Sequence, residues 1–125
     1  MNREYESIEI VAPKGEGYKL EKWRAEYRVI GEGDARIIQI NSLSSITVVV
    51  SKVLVDWYAS IGLPPYYSYY VSIPNFNAAT EGYDSLQLEE YFVDDLISRG
   101  MPKADAQTVA QVLYYIAPTF ERDEQ

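Results

Sequence analysis

The chain has 125 residues, of which 47% are hydrophobic and 24% are charged, and these values suit a single globular domain spanning residues 1–125. It contains no cysteine and no histidine, which excludes disulfides, cysteine- or histidine-ligated zinc, and nucleophile systems that need a histidine base. The net charge is −8: residues 53–125 hold three basic and eleven acidic side chains, whereas residues 1–52 hold eight of each. Such a field attracts basic proteins and repels phosphate backbones, so we expect a basic protein partner and no direct nucleic-acid binding.

Three strands are predicted in the first forty residues. Residues 5–12 and 23–29 alternate apolar side chains with polar or charged ones, which is typical of half-buried strands. The turn "GEGD" at 31–34 separates the second strand from a third at 35–40. Consecutive strands joined by short turns predict an antiparallel meander.

A long helix is predicted between residues 43 and 61. Ser42 is a suitable N-cap, and Gly62 followed by Pro64 provides the stop. Because Trp57 lies within the apolar arc of this helix, we expect it to be buried against the sheet. The apolar side chains at helical spacing are Leu43, Ile46, Val50, Val53, Leu54, Trp57, Tyr58 and Ile61.

A fourth strand is predicted from Tyr66 to Ile73, because the segment "YYSYYVSI" is stopped by a proline. Its alternation directs Tyr67 and Tyr69 into the core and sends Tyr66, Ser68, Tyr70 and Ser72 to the opposite side. Tyrosine supplies a large contact area at low rotamer cost and serine supplies adaptable hydrogen bonds. We therefore interpret Tyr66, Ser68 and Tyr70 as a partner-binding patch; the alternative is that a helix covers this face.

Two helices are predicted after this strand. The first begins at residue 84 or 85 and ends at Arg99, and the second runs from Pro102 to Pro118. Residues 118–125 are expected to form a frayed tail. The predicted fold class is therefore α+β, in the order β-β-β-α-β-α-α, with an antiparallel or mixed sheet of about four strands, a long central helix and a C-terminal helical hairpin.

The run from Glu81 to Asp95 holds six carboxylates and no basic residue. On a helix, Glu90, Asp94 and Asp95 share the solvent side with Tyr91, and we interpret these four as a docking surface for a basic partner. The alternative is a solvated helix face without a partner. Glu90 and Asp94 at i, i+4 are not specific for a metal, so no metal site, cofactor or catalytic residue is predicted.

The outer side of the last predicted helix is uncharged and consists of Gln107, Gln111, Tyr114 and Tyr115. This composition suits an oligomer contact or a secondary partner contact, and we expect a homo-oligomer. The predicted function is a non-enzymatic interaction protein, such as an inhibitor or nucleic-acid mimic, that engages a basic partner through its acidic, tyrosine-rich C-terminal half. The alternatives are a homo-oligomeric structural subunit and a small-ligand binder with a tyrosine-lined pocket.

No membrane contact is expected. Residues 1–10 contain no apolar signal region, and the longest apolar stretch is interrupted by Ser51, Lys52 and Asp56. A cytoplasmic location is therefore predicted.

Overall fold

The computed structural model describes residues 4–13, 19–80, 82, 85, 86, 88 and 90–121. Residue 121 is described by its backbone alone. The strands of these ranges form one antiparallel sheet, and their spatial order follows the chain from the first strand to the sixth. The strands are β1 (Glu6–Pro13), β2 (Leu20–Ile30), β3 (Ala35–Asn41), β4 (Ser45–Val55), β5 (Tyr66–Ile73) and β6 (Ala78–Ala79), and the helices are α1 (Glu90–Ser98) and α2 (Lys103–Glu121). The class is α+β.

The expectation of about four strands and a long central helix is wrong. Residues 45–55 form β4, which pairs with β3 on one side and with β5 on the other. Its apolar residues occupy both faces of the strand, and for that reason their spacing also satisfied a helical pattern. β-Branched side chains pack well on a pleated surface, and hydrogen-bonded ladders on both sides favour the extended chain. Trp57 lies beyond β4 and is 78% exposed, so its predicted burial is also wrong.

The other predicted strands are confirmed as β1, β2, β3 and β5, and the direction of the tyrosines in β5 is confirmed with them. Tyr69 is buried on the inner side, whereas Tyr66 and Tyr70 lie on the outer side and are 49% and 39% exposed. Tyr67 is also on the inner side, but it is 38% exposed because its cross-strand partner, Leu54, lies beyond the end of β3. Its predicted place in the core is therefore wrong.

Both helices pack on the inner face of the sheet, where they close the core. The first turns of α2 are held by two fully buried polar residues, Asp105 and Thr108. The Asp105 carboxylate accepts hydrogen bonds from the Leu43 N–H at 2.9 Å and the Ser44 hydroxyl at 2.6 Å, and Trp23 Nε1 donates to Thr108 Oγ1 at 3.0 Å. The turn between β3 and β4 is thereby fixed to the start of α2.

The ends of the helices differ from those predicted. Position 84, predicted with Gln87 as a capping box, lies outside the described residues, and α1 begins at Glu90. The second helix continues through Pro118 to Glu121, and Phe120 is buried, so residues 118–121 are not a frayed tail. Pro118 is on the exposed side of α2, where the hydrogen bond that it cannot donate is replaced most easily by water. In the described part of the chain, no helix is both long and apolar enough to cross a membrane.

Candidate interaction surfaces

The outer sides of β3, β4 and β5 carry no charged side chain. We call this surface the uncharged sheet face. It lies opposite the described helices, so the alternative that one of these helices covers the outer tyrosines is not realised. By contrast, neighbouring outer positions of β2 are Arg24, Glu26 and Arg28. The members of the uncharged sheet face are Ala35, Ile37, Gln39, Asn41, Ser45, Thr47, Val49, Ser51, Val53, Val55, Tyr66, Ser68, Tyr70 and Ser72.

The backbone at Gly82 lies close to two of the predicted partner-binding residues, Ser68 and Tyr70. A Cβ atom at this position would overlap the Ser68 hydroxyl oxygen and would lie 3.0 Å from the ring of Tyr70. The glycine therefore lets the backbone approach the outer side of β5 closely. Tyr66 is further along the strand and is the more exposed of the two outer tyrosines.

The acidic residues of α1 lie beside β6, next to the tyrosine strand. Ala79 of β6 pairs with Ser72 of β5 and lines a shallow groove together with Tyr91 and Asp94. Glu90, Tyr91 and Asp94 are exposed. Asp95 also lines this groove, but its carboxylate accepts a hydrogen bond from Arg99 at 2.8 Å. The predicted tyrosine set on the outer side of β5 and the predicted acidic set on α1 therefore lie on elements that are neighbours through β6.

The predicted contact residues of α2 lie at the opposite edge, beside β1. Gln111 is committed to the fold: its Nε2 donates to the Val11 carbonyl at 2.6 Å, and its Oε1 accepts from the Val11 N–H at 3.2 Å. This amide occupies backbone groups that an edge strand would otherwise offer to another chain, so Gln111 has a structural role at this edge. Gln107 is half-buried, and Tyr114 and Tyr115 are exposed, with the Tyr115 ring 6.2 Å from that of Tyr27.

A feature that the helix prediction concealed is the hairpin arm, residues 53–67. The pairing of β3 with β4 ends at Ala35 and Ser51, and the Lys52 N–H donates to the Asp34 carbonyl at 2.7 Å. Beyond this point β4 pairs only with β5, so the arm projects past the rest of the sheet. Its exposed large apolar side chains are Val53, Leu54, Trp57, Tyr58, Ile61, Leu63, Tyr66 and Tyr67.

The base of the arm contains a buried cation. Lys52 is 3% exposed, and its Nζ lies 3.2 Å from the Phe120 carbonyl oxygen and 4.5 Å from the centre of the Tyr67 ring. On the other side, the Arg36 guanidinium lies 4.4 Å from the centre of the Phe120 ring. These contacts attach the C-terminal end of α2 to the start of the arm, because a helix end attracts cations and aromatic faces do the same.

A crevice of about 1030 Å³ lies between the inner side of β1–β3 and the end of α2. It is the structural counterpart of the predicted small-ligand pocket, since Tyr5 and Tyr27 line it. Burial, with a smaller contribution from nearby Glu6, raises the pKa of Tyr27 to about 12. Ile38 and Val50 in its apolar wall are each 1% exposed, whereas Val29 and Ile116 are half-buried. A ligand would therefore contact apolar as well as charged lining residues.

Among the described residues, no three acidic side chains come together as a metal site would require. Comparison of the chain with known protein families, with curated proteins and with solved structures finds no match. The function is therefore argued from the chemistry of the surfaces alone.

Proposed function

We propose that the protein is a non-enzymatic interaction protein that binds a basic protein partner at the edge formed by β5, β6 and α1. One observation carries the proposal: β5, whose outer side carries the exposed Tyr66 and Tyr70, pairs with β6, and β6 lines a groove with the exposed Tyr91 and Asp94 of α1. We call this surface the tyrosine–acid edge. Its members are Tyr66, Ser68, Tyr70, Glu90, Tyr91, Asp94 and Asp95.

The two parts of the edge have different roles. Tyr66 and Tyr70 supply contact area that becomes costly to lose once a partner excludes water from it. Glu90 and Asp94 form no ion pair with any residue that the structure describes, so they are available to a basic partner. Asp95 is already engaged by Arg99 and contributes less. Exposed charges at a rim act mainly on the rate of association.

The sign of the charge favours one form of this function. A protein that normally holds nucleic acid presents a basic surface, and an acidic protein that occupies this surface acts as an inhibitor or nucleic-acid mimic. Residues 53–125 hold eleven acidic and three basic side chains, which is the imbalance that such a surface attracts. A partner of that kind would place the interaction in the cytoplasm.

The test begins with capture of partners from a lysate of the native host by the tagged full chain. A captured protein is purified, and its dissociation constant is measured against ionic strength. We expect a basic protein whose binding weakens steeply with added salt. The double variant Glu90→Lys and Asp94→Lys should weaken binding at least about tenfold, the equivalent of 1.4 kcal/mol.

A matched control makes the same change of charge elsewhere. Glu9→Lys and Glu26→Lys alter exposed acids on β1 and β2, away from the tyrosine–acid edge. Binding should change much less in this control than in the α1 variant. Equal losses in the two double variants, or binding that is independent of salt, would contradict the proposal.

A further inference from the structure

The hairpin arm exposes a large apolar surface for a small monomer. The exposed fractions of its eight large apolar side chains sum to on the order of 800 Å², taking about 150–250 Å² for each complete large side chain. Val53 and Tyr66 lie on the outer side of the arm and Leu54 and Tyr67 on the inner side, so the tip with one side offers on the order of 600 Å² in one place, at the upper end of the largest patch of a typical monomer. A standard interface takes about 800 Å² from each partner, so the tip and one side of the arm supply most of the surface that one half of a complex requires.

Charge identifies the occupant. Residues 53–67 contain one charged side chain, Asp56, in a chain whose net charge is −8. A basic partner gains no ion pair from the apolar tip of the arm. Two copies of this chain repel each other over most of their surfaces, but they can meet through an uncharged one. The arm is therefore suited to a second copy of the same chain.

The backbone of the arm offers a further contact. The Lys52 N–H points toward β3, and since this direction repeats every second residue, the N–H and carbonyl groups of Leu54 point the same way. The register places no residue of β3 opposite Leu54, because the pairing with β4 ends at Ser51. A second antiparallel arm related by a two-fold axis could pair at this short edge.

We propose that the protein forms a symmetric homodimer in which the hairpin arms of two copies pack against each other. The dimer buries Trp57, Ile61 and Leu63, which form the most exposed part of the arm. A two-fold interface uses the same patch on both copies, so one apolar arm completes the site for the other. Tyr66 belongs to both the hairpin arm and the tyrosine–acid edge, but Tyr70 and the acidic residues of α1 lie outside the arm and remain open for the basic partner.

Sedimentation measures the dimer directly. The unaltered chain should convert from monomer to dimer over about 1–100 µM, and the dimer should strengthen as added salt screens the repulsion between two acidic copies. The double variant Trp57→Ser and Ile61→Ser should dimerise at least about 30-fold more weakly. Both side chains are exposed, so the circular dichroism and melting temperature of the dilute protein should not change. The matched control is Leu20→Ser with Leu43→Ser, two exposed leucines outside the arm, which should leave the dimer intact.

Fluorescence identifies the buried side chain. The chain has two tryptophans, and dilution should shift the emission to longer wavelength as Trp57 becomes exposed. This shift should disappear in Trp57→Phe, which retains an aromatic contact. A monomer at about 100 µM with emission independent of concentration would overturn the inference. A dimer that persists in the Trp57→Ser and Ile61→Ser variant would also overturn the inference. So would a variant that stays dimeric and loses only its binding to the captured basic protein. Neither result affects the test of the proposed function with Glu90→Lys and Asp94→Lys.

Discussion

The ammonium group of Lys52 donates a hydrogen bond to the carbonyl oxygen of Phe120, 3.2 Å away, and so connects β4 to the last turn of α2. The last carbonyls of a helix have no partner within the helix, and a cation at this end also interacts favourably with the helix dipole. The aromatic rings of Tyr67 and Phe120 lie 4.5 and 5.7 Å from the same nitrogen. One buried lysine thereby stabilises both the helix end and the base of the hairpin arm.

Lys52→Met keeps the length of the side chain but removes its charge and its hydrogen-bond donors. We expect the free energy of unfolding to fall by about 1–3 kcal/mol, because the Phe120 carbonyl loses a charged donor and two rings lose their cation. Urea denaturation measures this change. Lys22→Met, at an exposed position of β2, is the control and should stay within about 0.5 kcal/mol. Equal free energies of unfolding for the two variants would show that the buried ammonium group makes no net contribution to stability.

Substitution of the β5 tyrosines by alanine should affect stability on the inner side of the sheet and partner binding on the outer side. Tyr69→Ala should destabilise the protein by about 3–5 kcal/mol, because it leaves a cavity beside Phe120, whose ring centre is 6.1 Å away. Tyr66→Ala should cost less than about 1 kcal/mol yet weaken binding of the basic partner. Denaturation and binding are measured on the same preparations. If Tyr66→Ala binds normally, the tyrosine part of the proposed interface is wrong.

Removal of the Gln111 amide should open the edge of β1. In Gln111→Ala, the N–H and carbonyl groups of Val11 lose their side-chain partner, and we expect a loss of about 1 kcal/mol. Hydrogen exchange of the Val11 amide should accelerate, and the exposed edge should increase aggregation on heating. Gln107→Ala is the control on the same helix, and it should alter neither property. Unchanged hydrogen exchange at Val11 would mean that the two hydrogen bonds of the Gln111 amide do not protect this edge.

Tyr27 should make the protein sensitive to alkali. Its pKa is raised from 10.0 to about 12 in the folded state, chiefly by burial, so the folded chain keeps the phenolic proton after the unfolded chain has lost it. The stability that this proton provides is complete below pH 10 and is lost as the pH rises toward 12, at up to about 1.4 kcal/mol per pH unit. Across this range the unfolding free energy of the unaltered chain should fall relative to that of Tyr27→Phe, which lacks the titrating phenol. Parallel curves would contradict the prediction.

The sequence predicts the residues of a candidate surface only where the local alternation of side chains along a strand gives their direction. The period of two in β5 places Tyr66, Ser68 and Tyr70 on the outer side, as the structure has them. The structural role of Gln111 is not visible in the sequence, because its hydrogen-bond partner, Val11, lies 100 residues away along the chain. The arm cannot be predicted from the sequence, because an apolar residue such as Trp57 is expected to be buried unless the absence of neighbouring elements is known.

The sequence by itself determined the strands whose two faces differ, the charge of each half of the chain and the apolar stripe of α2. Alternation and helical spacing depend only on neighbouring residues, and either pattern can be recognised when one face of the element is polar and the other apolar. The state of residues 45–55 was decided only in the tertiary structure. Both faces of β4 carry apolar side chains, and Val50 becomes extended because Arg36 and Val71, distant in sequence, pair with it on either side. The shortness of β3 then leaves the hairpin arm beyond the sheet, with Trp57 exposed.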